Sequence, residues 1–488
     1  MASKSAGLKL FTEGGLYTFG LFLLRAGNFL LLPLFLKYLD PAEYGAFGVM
    51  KQAAMLLALL AISGQGQSIL RLGIDSEQEE AQLARLVSTV YTWVFLVSCG
   101  LAGVTALLWP WLGGMLDSMP LWPIGAAGLA AVAGLALFQL TLAWLQFNHL
   151  ARKHTVLNLV RWAIQLALIF LFLIGMNLGA TGLLLAMALS YLIGALIGLR
   201  NLPPGSRPQL HMPSLTSSLR YGVPLLPLSL SGVIFSATDQ VLLAAHPEHG
   251  LNAAGIYLLA FQLGSAVYMF AMGMQKAWIP FFFREDKAQG RDPDWSKIRI
   301  LSFFNVSVVA CAAVSVGLLA PEGVSITAWF GSGDYRAAAA IVPILTFGAF
   351  IRSYYLVSAS VVLADKRMSR WIALTTLPAA GVNIALNAAW IPEYGMTGAA
   401  WATVTSHGLA MLGTGVLARR TRKIPFKYVR AALLLGGVAT TLYLGTGQSL
   451  GVRIAAILSF AGLLFLLDGR DILAASRSLR RQQRSKPN

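Results

Sequence analysis

The sequence predicts an all-α integral membrane protein with fourteen transmembrane helices, arranged as two six-helix lobes in parallel repeat plus two C-terminal helices. Three observations predict it. Of 488 residues, 57% are hydrophobic and only 12% charged, with mean hydropathy +0.67; a soluble domain carries about 25% charged residues, so this surface is made for lipid. Fourteen stretches reach the roughly 20 mostly apolar residues a spanning helix needs. And segments in the two halves of the chain match at a near-constant offset.

The fourteen spans fall near residues 12–36, 44–66, 86–110, 122–147, 155–174, 179–199, 219–245, 253–283, 299–320, 338–363, 371–391, 395–418, 427–446 and 450–467. Charge tests this count. With both termini cytoplasmic, 29 of the 37 Lys and Arg fall on the cytoplasmic side, and only Lys37, Arg336 and Arg453 on the other. That is a strong positive-inside pattern, which one missed or invented span would destroy. It also accounts for the net charge of +17 without nucleic acid, for which no binding motif appears. The N-terminus reads as an uncleaved first span, because no small-residue cleavage site follows Lys4 and Lys9. The expectation that follows is a multi-pass membrane protein with both termini cytoplasmic.

The repeat sets the domain organisation. Gly179-Ala180-Thr181-Gly182 matches Gly395-Met396-Thr397-Gly398. Ala151-Arg152-Lys153-His154 matches Ala364-Asp365-Lys366-Arg367. Tyr44-Gly45-Ala46-Phe47 matches Ala254-Gly255-Ile256-Tyr257. A unit of six spans returns the chain to the same side, so the copies are parallel, related by an axis along the membrane normal. The lobes are 1–200 and 219–420, joined by a cytoplasmic linker at 201–218 rich in Pro and Gly. Two extra spans occupy 421–467 and a basic cytoplasmic tail 468–488, which suits anionic headgroups. Cys99 and Cys311 sit at corresponding places in spans three and nine and suggest shared packing, not a disulfide. Two lobes flanking a cleft suit alternating access better than a channel.

Ionisable groups at membrane depth are costly and are functional candidates. The bases are Arg25 in span one, Lys51 in span two, Arg161 in span five, Lys276 in span eight and Arg352 in span ten. Arg25 and Arg352 lie deepest. Arg161, Lys276 and Lys51 are close enough to span ends to snorkel instead. The acids are few: Asp239 in span seven, and Glu13 at the entrance of span one. A mainly positive cleft favours an anion, and the forked donors of arginine suit phosphate. Asn28, Gln52, Gln139, Gln262 and Gln275 can bind sugar hydroxyls or hold helices together. No catalytic residue is assigned: no P-loop, zinc motif or nucleophile elbow occurs. His246-Pro247-Glu248-His249 reads as an ordinary loop rather than a metal site.

Asn383-Ile384-Ala385-Leu386-Asn387, Ile391-Pro392 and Gly395-Met396-Thr397-Gly398-Ala399-Ala400-Trp401-Ala402-Thr403 resemble the span eleven–twelve signature of polysaccharide/O-antigen flippases. These belong to the multidrug/oligosaccharidyl-lipid/polysaccharide (MOP) exporter superfamily. Tyr221-Gly222-Val223-Pro224-Leu225-Leu226-Pro227, Thr238-Asp239-Gln240-Val241-Leu242-Leu243 and Leu39-Asp40-Pro41-Ala42-Glu43-Tyr44-Gly45 are similar to other segments of that family. The resemblance implies a flippase, not an enzyme, carrying an undecaprenyl-pyrophosphate-linked glycan for O-antigen or exopolysaccharide synthesis. Membrane lipids, a polysaccharide polymerase and a chain-length regulator are the partners it implies. Peptidoglycan-precursor flippases of the superfamily use cationic cleft residues, and Arg25 and Lys51 sit in spans where such bases are expected. No cofactor is called for; coupling to H⁺, Na⁺ or the membrane potential is expected, with Asp239 the candidate titrating group. The alternatives are a multidrug or cation antiporter of the same fold and, less favoured, a membrane polymerase or ligase. Outer loops of only about 20 residues argue against the last.

Overall fold

The computed structural model describes residues 27 and 29–466, apart from 77–78, 289–294, 328–332, 364, 366–367 and 422–427; at 74–76, 228, 276–288, 295–304, 322–327, 333–334, 369–370 and 428–429 it describes the backbone only. The described residues are helical, with no strand among them. The helices are α1 (Leu32–Tyr38), α2 (Pro41–Ile62), α3 (Gln65–Ser76), α4 (Glu80–Leu107), α5 (Trp109–Met115), α6 (Ala126–Phe147), α7 (Ala151–Ile169), α8 (Gly179–Leu199), α9 (Met212–Gly222), α10 (Leu226–Ala245), α11 (Gly250–Ala288), α12 (Trp295–Thr327), α13 (Ala338–Leu363), α14 (Ala373–Thr421), α15 (Tyr428–Gly445) and α16 (Leu450–Leu466).

Eight helices among the described residues are long and apolar enough to cross a membrane, or nine if α9 and α10, bent by 54°, count as one span. Shorter apolar helices at Asn305–Pro321, Arg430–Gly445 and Leu450–Leu466 coincide with spans nine, thirteen and fourteen of the sequence reading. The first expected span lies mostly outside the described residues. Large apolar side chains are turned outward, among them Leu107, Trp122 and Phe465, as lipid-facing surfaces require.

The 49-residue α14 holds two of the expected spans. Thr375 Oγ1 meets Thr414 Oγ1 at 2.8 Å, and Asn383 Nδ2 donates to Ser406 Oγ at 3.3 Å. Both pairs are centred on the same point, next to Gly395, so α14 is a hairpin of two antiparallel arms. Gly395 makes the turn with φ +55° and ψ −132°, a region open essentially to glycine alone. Its repeat partner Gly179, at the start of α8, also has positive φ (+53°). The Gly-x-Thr-Gly match in the sequence therefore marks the same backbone event twice.

Local chemistry explains the other matched segments. Asp40 caps α2, its Oδ1 accepting from Glu43 N at 2.7 Å, and Pro41 occupies the first helical turn, where a missing N–H costs nothing. Leu39 to Gly45 is thus a helix start. At its other end α2 stops at Ser63 and Gly64, both with positive φ.

Contacts divide the chain into two compact units, Met1–Leu258 and Leu259–Asn488. This division falls inside α11, later than the linker at 201–218. The reason lies in the first unit: α10 packs along α2, and the first turns of α11 join them. The linker itself is tied to the same unit. Gln209 N and His211 N donate to Thr92 Oγ1 and Thr89 Oγ1 on α4, each at 3.2 Å, and Trp144 Nε1 donates to Asn201 O at 2.6 Å. In the second unit, Val438, Leu442, Phe460 and Leu464 of α15 and α16 join the core formed by Val309, Ala313, Val314 and Phe350. Arg453 fastens α16 there, donating to Gln448 O at 2.8 Å and Leu318 O at 3.2 Å.

Candidate functional site

The candidate bases fall into different settings. Residue 25 lies outside the described residues, and so does residue 28. Lys276 lies in α11, where only the backbone is described. Lys51, on α2, is half-buried, with Nζ 5.7 Å from the centroid of the Phe47 ring. Arg352, on α13, is also half-buried. Its guanidinium lies 4.2 Å from the ring centroid of Tyr268, a cation–π contact. Arg352 is within electrostatic reach of His407 and Tyr355.

Arg161 is different. It is only 6% exposed and lies inside the first unit, between α6, α7 and α8. Its guanidinium sits 4.4 Å from the Tyr191 centroid and 5.7 Å from that of Phe138, and Nη1 donates to Gln165 Oε1 at 2.6 Å. Phe138 belongs to a core with Leu145, Leu157 and Ala195. Arg161 therefore neither snorkels to an interface nor stands open for a ligand; aromatic faces and one amide solvate it in place of water.

Asp239, on α10, is 1% exposed, and Tyr257 Oη of α11 donates to its Oδ2 at 2.5 Å. Its helix packs against the helix that carries Lys51. Beside it, Gln52 Nε2 donates to Ser236 O at 2.9 Å. Gln52, Ser236 and Gln240 thus belong to one polar seam between α2 and α10.

The polar candidates split. Gln52 is engaged as above. Gln275 Nε2 donates to Leu356 O at 3.1 Å, so both act as inter-helix bonds. Gln139 is exposed and Gln262 is half-buried. His246 and His249 stack with ring centroids 4.7 Å apart, and His246 Nδ1 accepts from Glu248 N at 3.3 Å, which shapes the turn between α10 and α11.

Sequence reasoning misses two features. One is Gln240, 1% exposed with neither end of its amide partnered among the described residues. The other is a buried polar layer in the α14 hairpin: Asn383, Asn387, Thr403, Ser406 and His407. The asparagines stand four residues apart, on one helix face, and that spacing is the available signal.

Comparisons with known proteins fit this architecture. The profile of the family "Polysaccharide biosynthesis protein" matches residues 12–285. No curated protein sequence matches the chain. Among solved structures, the lipid II flippase MurJ in its inward closed conformation superposes with TM-score 0.73 at 12% identity, covering 96% of this chain and 99% of that one. An inward-facing multidrug-resistance MATE transporter of the MOP superfamily gives TM-score 0.60 at 14% identity, covering 87% and 95%. A MOP superfamily transporter from Pyrococcus furiosus, described as having a binding pocket of reverse polarity, gives 0.52 at 12% identity, covering 87% and 96%. Identities this low speak to the fold. The fold is that of MOP-type membrane transporters, and the profile match extends over more than half of the chain. The protein therefore belongs to the polysaccharide biosynthesis protein family, as a multi-pass membrane protein with the fold of MOP-type transporters.

Proposed function

We propose that this protein flips undecaprenyl-pyrophosphate-linked oligosaccharide repeat units from the cytoplasmic to the periplasmic leaflet of a bacterial inner membrane, for O-antigen or exopolysaccharide synthesis. The observation that carries this reading is the sign of the charge at membrane depth. With the enclosed Arg161 set aside, four bases, Arg25, Lys51, Lys276 and Arg352, stand within the spans read from the sequence, against Asp239. Family membership adds a lipid-linked glycan as the class of cargo.

In this mechanism Arg25, Arg352 and Lys276 draw in the pyrophosphate, the sugars occupy a polar cleft, and the lipid tail stays in the bilayer. The two six-span lobes then rock. With both termini cytoplasmic and the potential negative inside, moving negative charge outward is downhill by roughly 2.3 kcal/mol per charge per 100 mV. That potential can drive flipping alone or together with H⁺ or Na⁺, for which Asp239 is the candidate carrier. A polymerase and a chain-length regulator would receive the product.

Charge reversal tests the reading. Arg25→Glu and Arg352→Glu should each abolish glycan export at normal protein level. Full export by both variants would refute a cationic cleft. A second reading, a cation or drug antiporter, draws on the buried carboxylate of Asp239. It requires raised drug tolerance in cells expressing the protein, and the flippase reading requires none.

A further inference from the structure

We propose that Gly45 and Gly255 form a latch that closes the outward mouth of the cleft, and that the buried amide of Gln240, without a partner among the described residues, keeps this latch from being permanent. The inference rests on the flippase reading for its alternating access and adds the residues that set its balance.

The latch follows from repeat and contact together. Gly45 opens span two and Gly255 opens span eight, at matching places in the two copies. In the first compact unit these two residues meet. A Cβ added to Gly45 would run into Leu251 O, and one added to Gly255 would run into Pro41 O. Each glycine thus faces the carbonyl four residues before the other. A contact that is its own mirror under exchange of the copies is isologous and straddles the twofold relating them. In a parallel repeat that axis runs along the membrane normal, so the two copies touch at this point without intervening side chains. Glycine alone permits helices to approach this closely. The positive-inside reading places both residues at the outward ends of their spans.

One layer inward, α2 and α10 hold a group that does not suit the closed state. On α2, Gly48 lies under Gln240 of α10; a Cβ there would stand 3.2 Å from Gln240 Oε1. Gln240 is buried, and neither its Oε1 nor its Nε2 meets a partner among the described residues. A buried amide with both ends unmet bears its full desolvation cost, and that cost vanishes if α2 and α10 part and water enters. The backbone contact at Gly45 and Gly255 favours closure, and Gln240 favours opening. A transporter that must visit both states needs the two nearly balanced.

The test uses an accessibility reporter. Ser236→Cys, one turn from Gln240, is placed in a Cys99→Ser/Cys311→Ser background and labelled in intact cells by a membrane-impermeant maleimide applied outside. Gly255→Ala and Gly45→Ala should each raise labelling by about fivefold or more. Gln240→Leu, tested on the parent and on Gly45→Ala, should lower it by a similar factor. Unchanged labelling in the glycine variants, or unchanged or raised labelling in Gln240→Leu, would overturn the proposal. If the glycine variants fail to accumulate, Gln240→Leu on the parent decides alone, since it alters no backbone contact. Labelling does not depend on the cargo. A latch that responds as stated in a protein that exports no glycan would therefore refute the flippase reading and leave the latch standing.

Discussion

At the scale of the residue, the informative groups are those that membrane burial should have removed. Arg161 is the clearest. A guanidinium enclosed by Phe138 and Tyr191, with a single bond to Gln165, has given up water for weaker partners. Replacing even a buried ion pair with apolar side chains of similar volume is often neutral or stabilising by about 1–4 kcal/mol, and Arg161 has an amide and two rings in place of a counter-charge. Arg161→Met should therefore melt in detergent at or above the parent temperature, whereas Arg161→Ala, which also empties the space filled by the stem, should lose about 2–4 kcal/mol. A large loss in the Met variant would show that the charge itself holds the unit together. The sequence makes Arg161 visible as a base at membrane depth. It does not show whether the side chain faces lipid, a cleft or the interior of a lobe, because helical periodicity is silent where every face is apolar. Gln240 is hidden for a related reason: glutamine in a span reads as an inter-helix bond, and only the packed neighbours reveal that its amide has none among the described residues.

At the scale of the element, backbone punctuation is the most legible feature. Gly179 and Gly395 are paired by motif, and both take positive φ. Alanine forced to such a positive φ costs about 1–3 kcal/mol. At Gly179 the added Cβ also meets the Glu43 carboxylate. Gly179→Ala and Gly395→Ala should each reduce thermal stability by at least that amount, measured as a melting shift in detergent; a stable Gly395→Ala protein would contradict the hairpin turn. The start of α2 is equally legible, since Asp40 and Pro41 are a cap and a first-turn residue. Asp40→Ala should cost about 1 kcal/mol in the same melt, and no change would mean that the cap is idle. The polar layer of the α14 hairpin is only half legible. Asn383 and Asn387 stand out as part of a motif, but Ser406, the partner of Asn383, lies in the second arm, and no local pattern announces a pairing across a turn.

At the scale of the whole molecule, composition and charge decide the class. A chain only 12% charged is made for lipid, and eight helices among the described residues are long and apolar enough to span it. The boundary of the compact units is not readable in the same way, because it depends on which helices touch: α10 follows the linker in sequence yet packs along α2. The central claim is that this molecule carries a large anionic glycolipid through a positive cleft. Its most direct test is translocation of undecaprenyl-pyrophosphate-linked oligosaccharide in proteoliposomes containing the purified protein, with Arg352→Glu alongside. The expected result is leaflet exchange by the parent, accelerated by a potential negative on the cytoplasmic side, and none by the variant. Equal exchange by both proteins, or uptake of an organic cation in place of the glycolipid, would contradict it.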